Sequence, residues 1–95
     1  MYATITELSF RSPEAIRQAT LNIEALLPEM RQLPGFRSLS MIQTEALSAT
    51  IVTIYDSRAE LEEGSEQLRS QVAQAISPLV GGAPQRVGGT VVVQS

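Results

Sequence analysis

The sequence predicts an α+β fold, a four-stranded antiparallel sheet with two helices on one face, and three observations carry that expectation. Apolar and β-branched residues recur in the order strand, helix, strand, strand, helix, strand. The joint Leu33-Pro34-Gly35-Phe36 divides the first helix from the second strand. The second and third strands are separated only by a few residues around Glu45 and Ala46, a link so short that it permits only an antiparallel hairpin. Two βαβ-like halves joined by a hairpin, each with a right-handed crossover, give the ferredoxin-like arrangement. Residues 1–95 are expected to form a single domain, with enough chain for a core but little margin.

Each element follows from its residues. Over residues 2–8, Ala3 and Ile5 alternate with Tyr2, Thr4, Thr6 and Leu8, the period of a strand. Ser12-Pro13-Glu14 then starts a helix: Ser at the N-cap, Pro in the first turn and an acid near the positive dipole end. Ile16, Ala19, Ile23, Leu27 and Met30 form its apolar stripe, and Pro28 within that stripe is expected to kink the helix or restart it as a final turn. Phe36–Thr44 and Leu47–Tyr55 read as the hairpin strands. Ser57-x-x-Glu60 is a capping box for a second helix with Leu61, Leu68, Val72, Ala75 and Ile76 on one stripe, ended by Ser77-Pro78 and Gly81-Gly82. The last strand is expected over Val87–Val93, with Gly88-Gly89 marking a bulge or a close backbone approach.

Two helices can cover only one face of such a sheet, yet both faces are apolar. Ile51 and Tyr55 point one way and Val52 and Ile54 the other, while Val91 and Val93 oppose Val92. An antiparallel sheet with a wet face alternates more cleanly. Burying an aliphatic side chain is worth roughly 1.5–3 kcal/mol, so four or five left open represent on the order of 10 kcal/mol gross. A second copy of the chain packed sheet against sheet is therefore expected, in preference to a monomer with a sticky face.

Composition narrows the chemistry. Net charge is −3 with no cationic track, which argues against a nucleic-acid partner. All seven basic residues are Arg, and Lys, His and Cys are absent. Side-chain Schiff bases, imidazole proton shuttles, thiolate nucleophiles and imidazole or thiolate metal ligation are thereby excluded. A Ser nucleophile lacks the His or Lys that would activate it. The acidic run Glu60, Glu62, Glu63 and Glu66 suits a helix start and a solvated face; adjacent helical glutamates do not converge on a metal. With no basic and apolar leader and no membrane-length segment, the expected location is the cytoplasm, with no membrane partner.

With the order of elements established, two stretches resemble the dimeric α/β-barrel superfamily, specifically the antibiotic-biosynthesis-monooxygenase-like domains. They are Leu33-Pro34-Gly35-Phe36-Arg37, entering the second strand, and Ile51-Val52-Thr53-Ile54-Tyr55-Asp56-Ser57-Arg58-Ala59-Glu60-Leu61, entering the second helix. The resemblance implies a homodimer whose two sheets form a barrel, with a small-molecule pocket between sheet and helices in each subunit. Some relatives oxidise polycyclic phenols with molecular oxygen and no cofactor; others degrade haem, isomerise, or only bind small molecules. Haem-degrading members use an Asn on the first strand and a Trp and a His on the second helix. Here those regions hold Thr4, Thr6 and Glu7, then Gly64 and Gln74, so the resemblance does not extend to haem chemistry.

The candidate pocket lining is Tyr2, Thr4, Thr6, Arg37, Tyr55, Gly64 and Leu68. A Tyr could hydrogen-bond a phenolic substrate, though an amphipathic residue at a sheet end is the commoner role. Gly64, in a helix interior where Gly costs about 1 kcal/mol relative to Ala, leaves either a gap for a ligand or room for close helix–sheet packing. Arg37 could hold an anion bidentately or simply pair with an acid. Thr4, Thr6, Ser38, Ser40, Ser48, Thr50 and Thr53 supply hydroxyls that could orient a ligand or merely favour strands. Two functions stay open: a cofactor-independent monooxygenase or isomerase acting on a small aromatic or polyketide-like molecule, and a non-catalytic dimeric module binding a small apolar molecule. A pocket of a few hundred Å³ bordered by a Tyr and an Arg favours the first.

Overall fold

The computed structural model describes residues 1–95 and has the expected element order. Strand β1 is Tyr2–Ser9, helix α1 Pro13–Met30, β2 Phe36–Glu45, β3 Ser48–Tyr55, helix α2 Arg58–Ile76 and β4 Gln85–Thr90, with a 3₁₀ turn at Ser77–Leu79. The strands pair antiparallel in the order β2-β3-β1-β4. No helix is long and apolar enough to cross a membrane.

The caps form as their residues dictate. Ser12 Oγ accepts the Ala15 N–H at 3.1 Å, and Ser57 Oγ accepts the Glu60 N–H at 3.2 Å. The Glu60 carboxylate accepts the Ser57 hydroxyl at 3.0 Å. Helix α1 runs through Pro28 to Met30, and the Arg31 N–H closes its last turn on Leu27 O at 2.9 Å. Proline has no N–H to donate, so a last turn of this kind is what a helix retains beyond it.

Side-chain parity then decides the layers. Leu8, Ala49 and Ile51 of the sheet share one buried cluster with Ala15, Ile16, Ala19 and Ile23 of α1 and Ile76 of α2, so both helices cover the same face. Alanines at 15, 19 and 49 are the small members of that cluster, packed beside its larger aliphatic side chains. Asn22 Nδ2 donates to Ala75 O at 2.9 Å and Gln71 Nε2 to Glu29 Oε2 at 3.0 Å, which tie the two helices together.

The opposite face is uncovered. The register aligns Val87, Ile5 and Val52 in one row across three strands, with Ile54 and Ile42 on neighbouring rows. Ile5, Ile42 and Val87 are exposed by 41%, 50% and 65%.

The hairpin strands differ from expectation by one residue, at Glu45 and Ser48, and the last strand by more. Strand β4 covers Gln85–Thr90 rather than Val87–Val93. Thr90 is already opposite Tyr2, the first residue of β1, and the Val91 N–H takes Met1 O at 2.9 Å, so no β1 residue remains to pair with Val92 or Val93. Those two valines are accordingly exposed and belong to neither sheet face. Gly88-Gly89 form no bulge: Ala3–Gly89 and Thr4–Gly88 stay in register, and the close approach there is by the Tyr2 ring over Gly88.

The joint at Pro34-Gly35 is clasped to the start of α2. Gly35 has φ +75°, its carbonyl accepts the Asp56 N–H at 2.8 Å, and an added Cβ would lie 2.6 Å from the Glu60 carboxylate oxygens. Gly35→Ala should therefore cost roughly 1–2 kcal/mol or more in a chemical-denaturation midpoint, because the left-handed backbone and the contact both oppose a side chain. Gly82→Ala, which meets nothing within 4 Å, is the comparison; equal effects of the two changes would refute this account.

Candidate functional site

Alternation along the strands builds the site. On the helix-covered face the ladders set three rows: Thr90-Tyr2-Tyr55-Phe36, Gly88-Thr4-Thr53-Leu39 and Arg86-Thr6-Ile51-Met41. The middle of this surface is not filled by the helices. A half-open cavity of about 530 Å³ lies between it and α2, with Thr4, Thr6, Ile51, Thr53 and Tyr55 on the sheet side and Gly64, Leu68, Val72 and Ile76 on the helix side. Ile23 and Met30 of α1 add to its apolar lining, and Arg69 and Arg86 also border it. A smaller recess next to it is lined by Tyr2, Thr4, Ser65, Arg69, Arg86 and Gly88 among others.

Thr4, Thr6, Thr53 and Tyr55 all border the cavity, and none of their hydroxyls is sealed away from it without a partner, so these groups keep hydrogen-bonding capacity for an occupant. Tyr55 is buried, and that burial raises its phenol above the ordinary value of 10.0 because the tyrosinate would lose hydration. It is consequently a neutral hydrogen-bond donor, not a base, at physiological pH. Its ring meets Phe36 edge-on at 5.5 Å and 83°.

Gly64 resolves both of its open readings at once. A Cβ there would come 2.6 Å from the Tyr55 hydroxyl and 3.1 Å from the ring. The missing side chain is thus the seat of Tyr55 and part of the cavity wall. Tyr2 sits on Gly88 in the same manner, with the Arg58 guanidinium 5.8 Å from its ring centre.

Of the residues expected to line a pocket, Thr4, Thr6, Tyr55, Gly64 and Leu68 border the cavity and Tyr2 borders the adjoining recess. Arg37 departs from the expectation. It is the extra residue of a bulge between Phe36 and Ser38, and its Nε bonds Asp56 Oδ1 on the surface, outside both recesses. Of the other hydroxyls, Ser38, Ser40 and Thr50 register with the uncovered face, opposite Ile54, Val52 and Glu7 or Ile42. Sequence reasoning passed over Arg86 because it began the last strand at Val87. Period two counted back from Gly88 would have put Arg86 on the pocket face. No group of three Asp, Glu, His or Cys is placed to hold a metal ion. Glu62 and Glu66 border the adjoining recess, paired with Arg58 and Arg69.

Gly64→Ala should destabilise the protein despite the better helix propensity of Ala, since Tyr55 must shift. In a Tyr55→Phe background, which removes the nearest atom, the same change should cost about 1 kcal/mol less; additive effects in this double-mutant cycle, read by denaturation, would disprove the contact.

No family model matches the chain, and no curated protein matches it. Solved structures do. Rv0793 from Mycobacterium tuberculosis superposes with a TM-score of 0.80 at 18% identity, covering 99% of this chain and 97% of that one. A crystal structure of an antibiotic biosynthesis monooxygenase gives 0.78 at 18% identity, covering 98% and 100%. A monooxygenase from the gene ActVA-Orf6 of Streptomyces coelicolor, in complex with the ligand nanaomycin D, gives 0.79 at 17% identity, covering 99% and 92%. At these identities the likeness is one of backbone architecture, and it extends over nearly the whole of each chain. The fold of this protein is that of the antibiotic-biosynthesis-monooxygenase-like structures.

Proposed function

We propose that this chain is a single-domain member of the antibiotic-biosynthesis-monooxygenase-like family, acting in the cytoplasm as a homodimer on a small aromatic or polyketide-like molecule held in the cavity of each subunit. The observation that carries the reading is the half-open cavity of about 530 Å³, with Leu68, Val72 and Ile76 on the helix side, threonines on the sheet side, and Tyr55 and Arg86 on its border. A volume of this size suits a small polycyclic molecule. The fold shared with structures named as monooxygenases supports the same reading.

The chemistry suited to this inventory is oxidation of an electron-rich phenol by dioxygen. A ring C–H and the phenolic O–H become the two carbonyls of a quinone, one oxygen atom enters the ring, and the other leaves as water. The substrate supplies the electrons, so the chain needs only to orient it, exclude water and stabilise the phenolate. Tyr55, held neutral by its burial, donates a hydrogen bond to the phenolate oxygen, and Thr4 and Thr53 orient the ring substituents. Glu7 has the parity of Ile5 and belongs to the other face, so it takes no part. The second reading, a binding module without catalysis, is favoured by the lack of any side chain that could act as a base in the cavity.

Oxygen uptake with an anthrone or naphthol substrate discriminates the two. A monooxygenase consumes one dioxygen per quinone formed, and Tyr55→Phe lowers the rate by roughly tenfold or more. Thermal stabilisation by the same compounds without oxygen uptake would leave the binding module; neither effect would remove both readings.

The dimer uses the uncovered face, where Ile5, Val52, Ile54, Ile42 and Val87 form one apolar surface. Light scattering should give twice the 10.3 kDa chain mass for the wild type and the single-chain mass for Ile5→Glu. A wild-type mass of one chain at micromolar concentration would eliminate the dimer.

A further inference from the structure

Charge is distributed unevenly around the cavity. The chain as a whole carries −3, so an anionic molecule meets overall repulsion. In the cavity lining the balance reverses: it holds two guanidiniums, Arg69 and Arg86, and no carboxylate. In the recess beside it Glu66 pairs with Arg69 and Glu62 with Arg58 at 2.9 Å, which leaves Arg86 with no carboxylate in ion-pair contact. Arg86 borders both the cavity and the recess beside it, directly across the ladder from Thr6 and one row from Thr4. It is exposed and rooted on a strand, so its fork of donors is offered to the cavity without any prior desolvation cost. Much of the remaining lining is aliphatic, with Leu68, Val72 and Ile76 from α2 and Ile51 and Ile23 beside them.

We infer that the cavity selects an apolar molecule bearing one negatively charged group, with the charge on Arg86, flanking oxygens on Thr4 and Thr6, and the apolar body between Leu68 and Ile51. The inference rests on the cavity being a ligand site and adds the class of molecule it prefers. The guanidinium supplies the selectivity, because a neutral analogue of the same shape keeps the apolar contacts and forgoes the charge-assisted hydrogen bond. Partial exposure screens that bond, so discrimination of roughly fivefold to tenfold is expected rather than the larger values of buried pairs.

Two fluorescent probes of nearly the same shape test this: anilinonaphthalene sulfonate, an anion, and N-phenylnaphthylamine, its neutral parent. The wild type should bind both, the sulfonate more tightly, and Val72→Phe, which fills the cavity, should weaken both. Arg86→Gln should weaken the sulfonate by about fivefold or more and leave the neutral probe within about twofold. Arg31→Gln, which removes the same charge outside the cavity, should leave both unchanged. Equal losses of sulfonate binding in the two Arg variants would overturn the inference by reducing it to net charge. Sulfonate binding untouched by Arg86→Gln, beside neutral-probe binding that Val72→Phe still weakens, overturns it alone. Probe binding indifferent to Val72→Phe instead takes down the ligand-site reading, and this inference with it.

Discussion

The seat of the Tyr55 ring on Gly64 is the contact on which the geometry around the cavity depends. Tyr55 is the last residue of β3 and Gly64 lies in the second turn of α2, so their contact sets how closely the helix can approach the sheet. The next residues make that approach rigid. Asp56 hangs from Gly35 by a backbone hydrogen bond, Glu60 closes the cap on Ser57 and packs on Gly35, and Phe36 meets Tyr55 edge-on. Helix α2 is thus pinned to the sheet at its N-terminal end by two glycines that make room and two aromatic rings that use it.

Farther along, α2 faces threonines instead of large apolar residues. Thr4, Thr6 and Thr53 are too short to fill the space that Tyr55 fills one row away, and Leu68 and Val72 do not reach them across it. The cavity is therefore a consequence of side-chain length under a helix whose height is already set. At the other end the space closes, because Leu8, Ala49 and Ile51 pack with Ile16, Ile23 and Ile76. One sheet face accordingly serves as core at one end and as cavity wall at the other. Its reverse remains apolar and open, since two helices cannot lie on both sides of four strands.

Much of the site was legible in the chain. Period two put Thr4, Thr6 and Leu8 on one side of β1, and the β-branched run to Tyr55 did the same for β3. The interior helical glycine is conspicuous in the sequence by its cost, and the structure supplies the ring that occupies its place. Arg37 and Arg86 mark where such reading stops. Both stand at strand entries, where parity is decided by one residue. A bulge after Phe36 turned Arg37 out to Asp56, and β4 beginning at Gln85 turned Arg86 in. A bulge has no periodic signature, because it follows from the partner strand's register, whereas Arg86 follows from period two only once the strand is known to reach back to Gln85.

What the sequence determined by itself was the element order, the caps at Ser12 and Ser57, the break at Pro34-Gly35, and the existence of two apolar sheet faces. These follow from local propensity and periodicity, which act over a few residues. Only the tertiary structure decided which hydroxyls share a cavity, that Gly64 belongs to Tyr55, and that Arg69 and Arg86 rather than Arg37 are the cations beside them. Those outcomes depend on contacts between residues far apart in the chain, where a shift of one position in register exchanges the two faces of a strand.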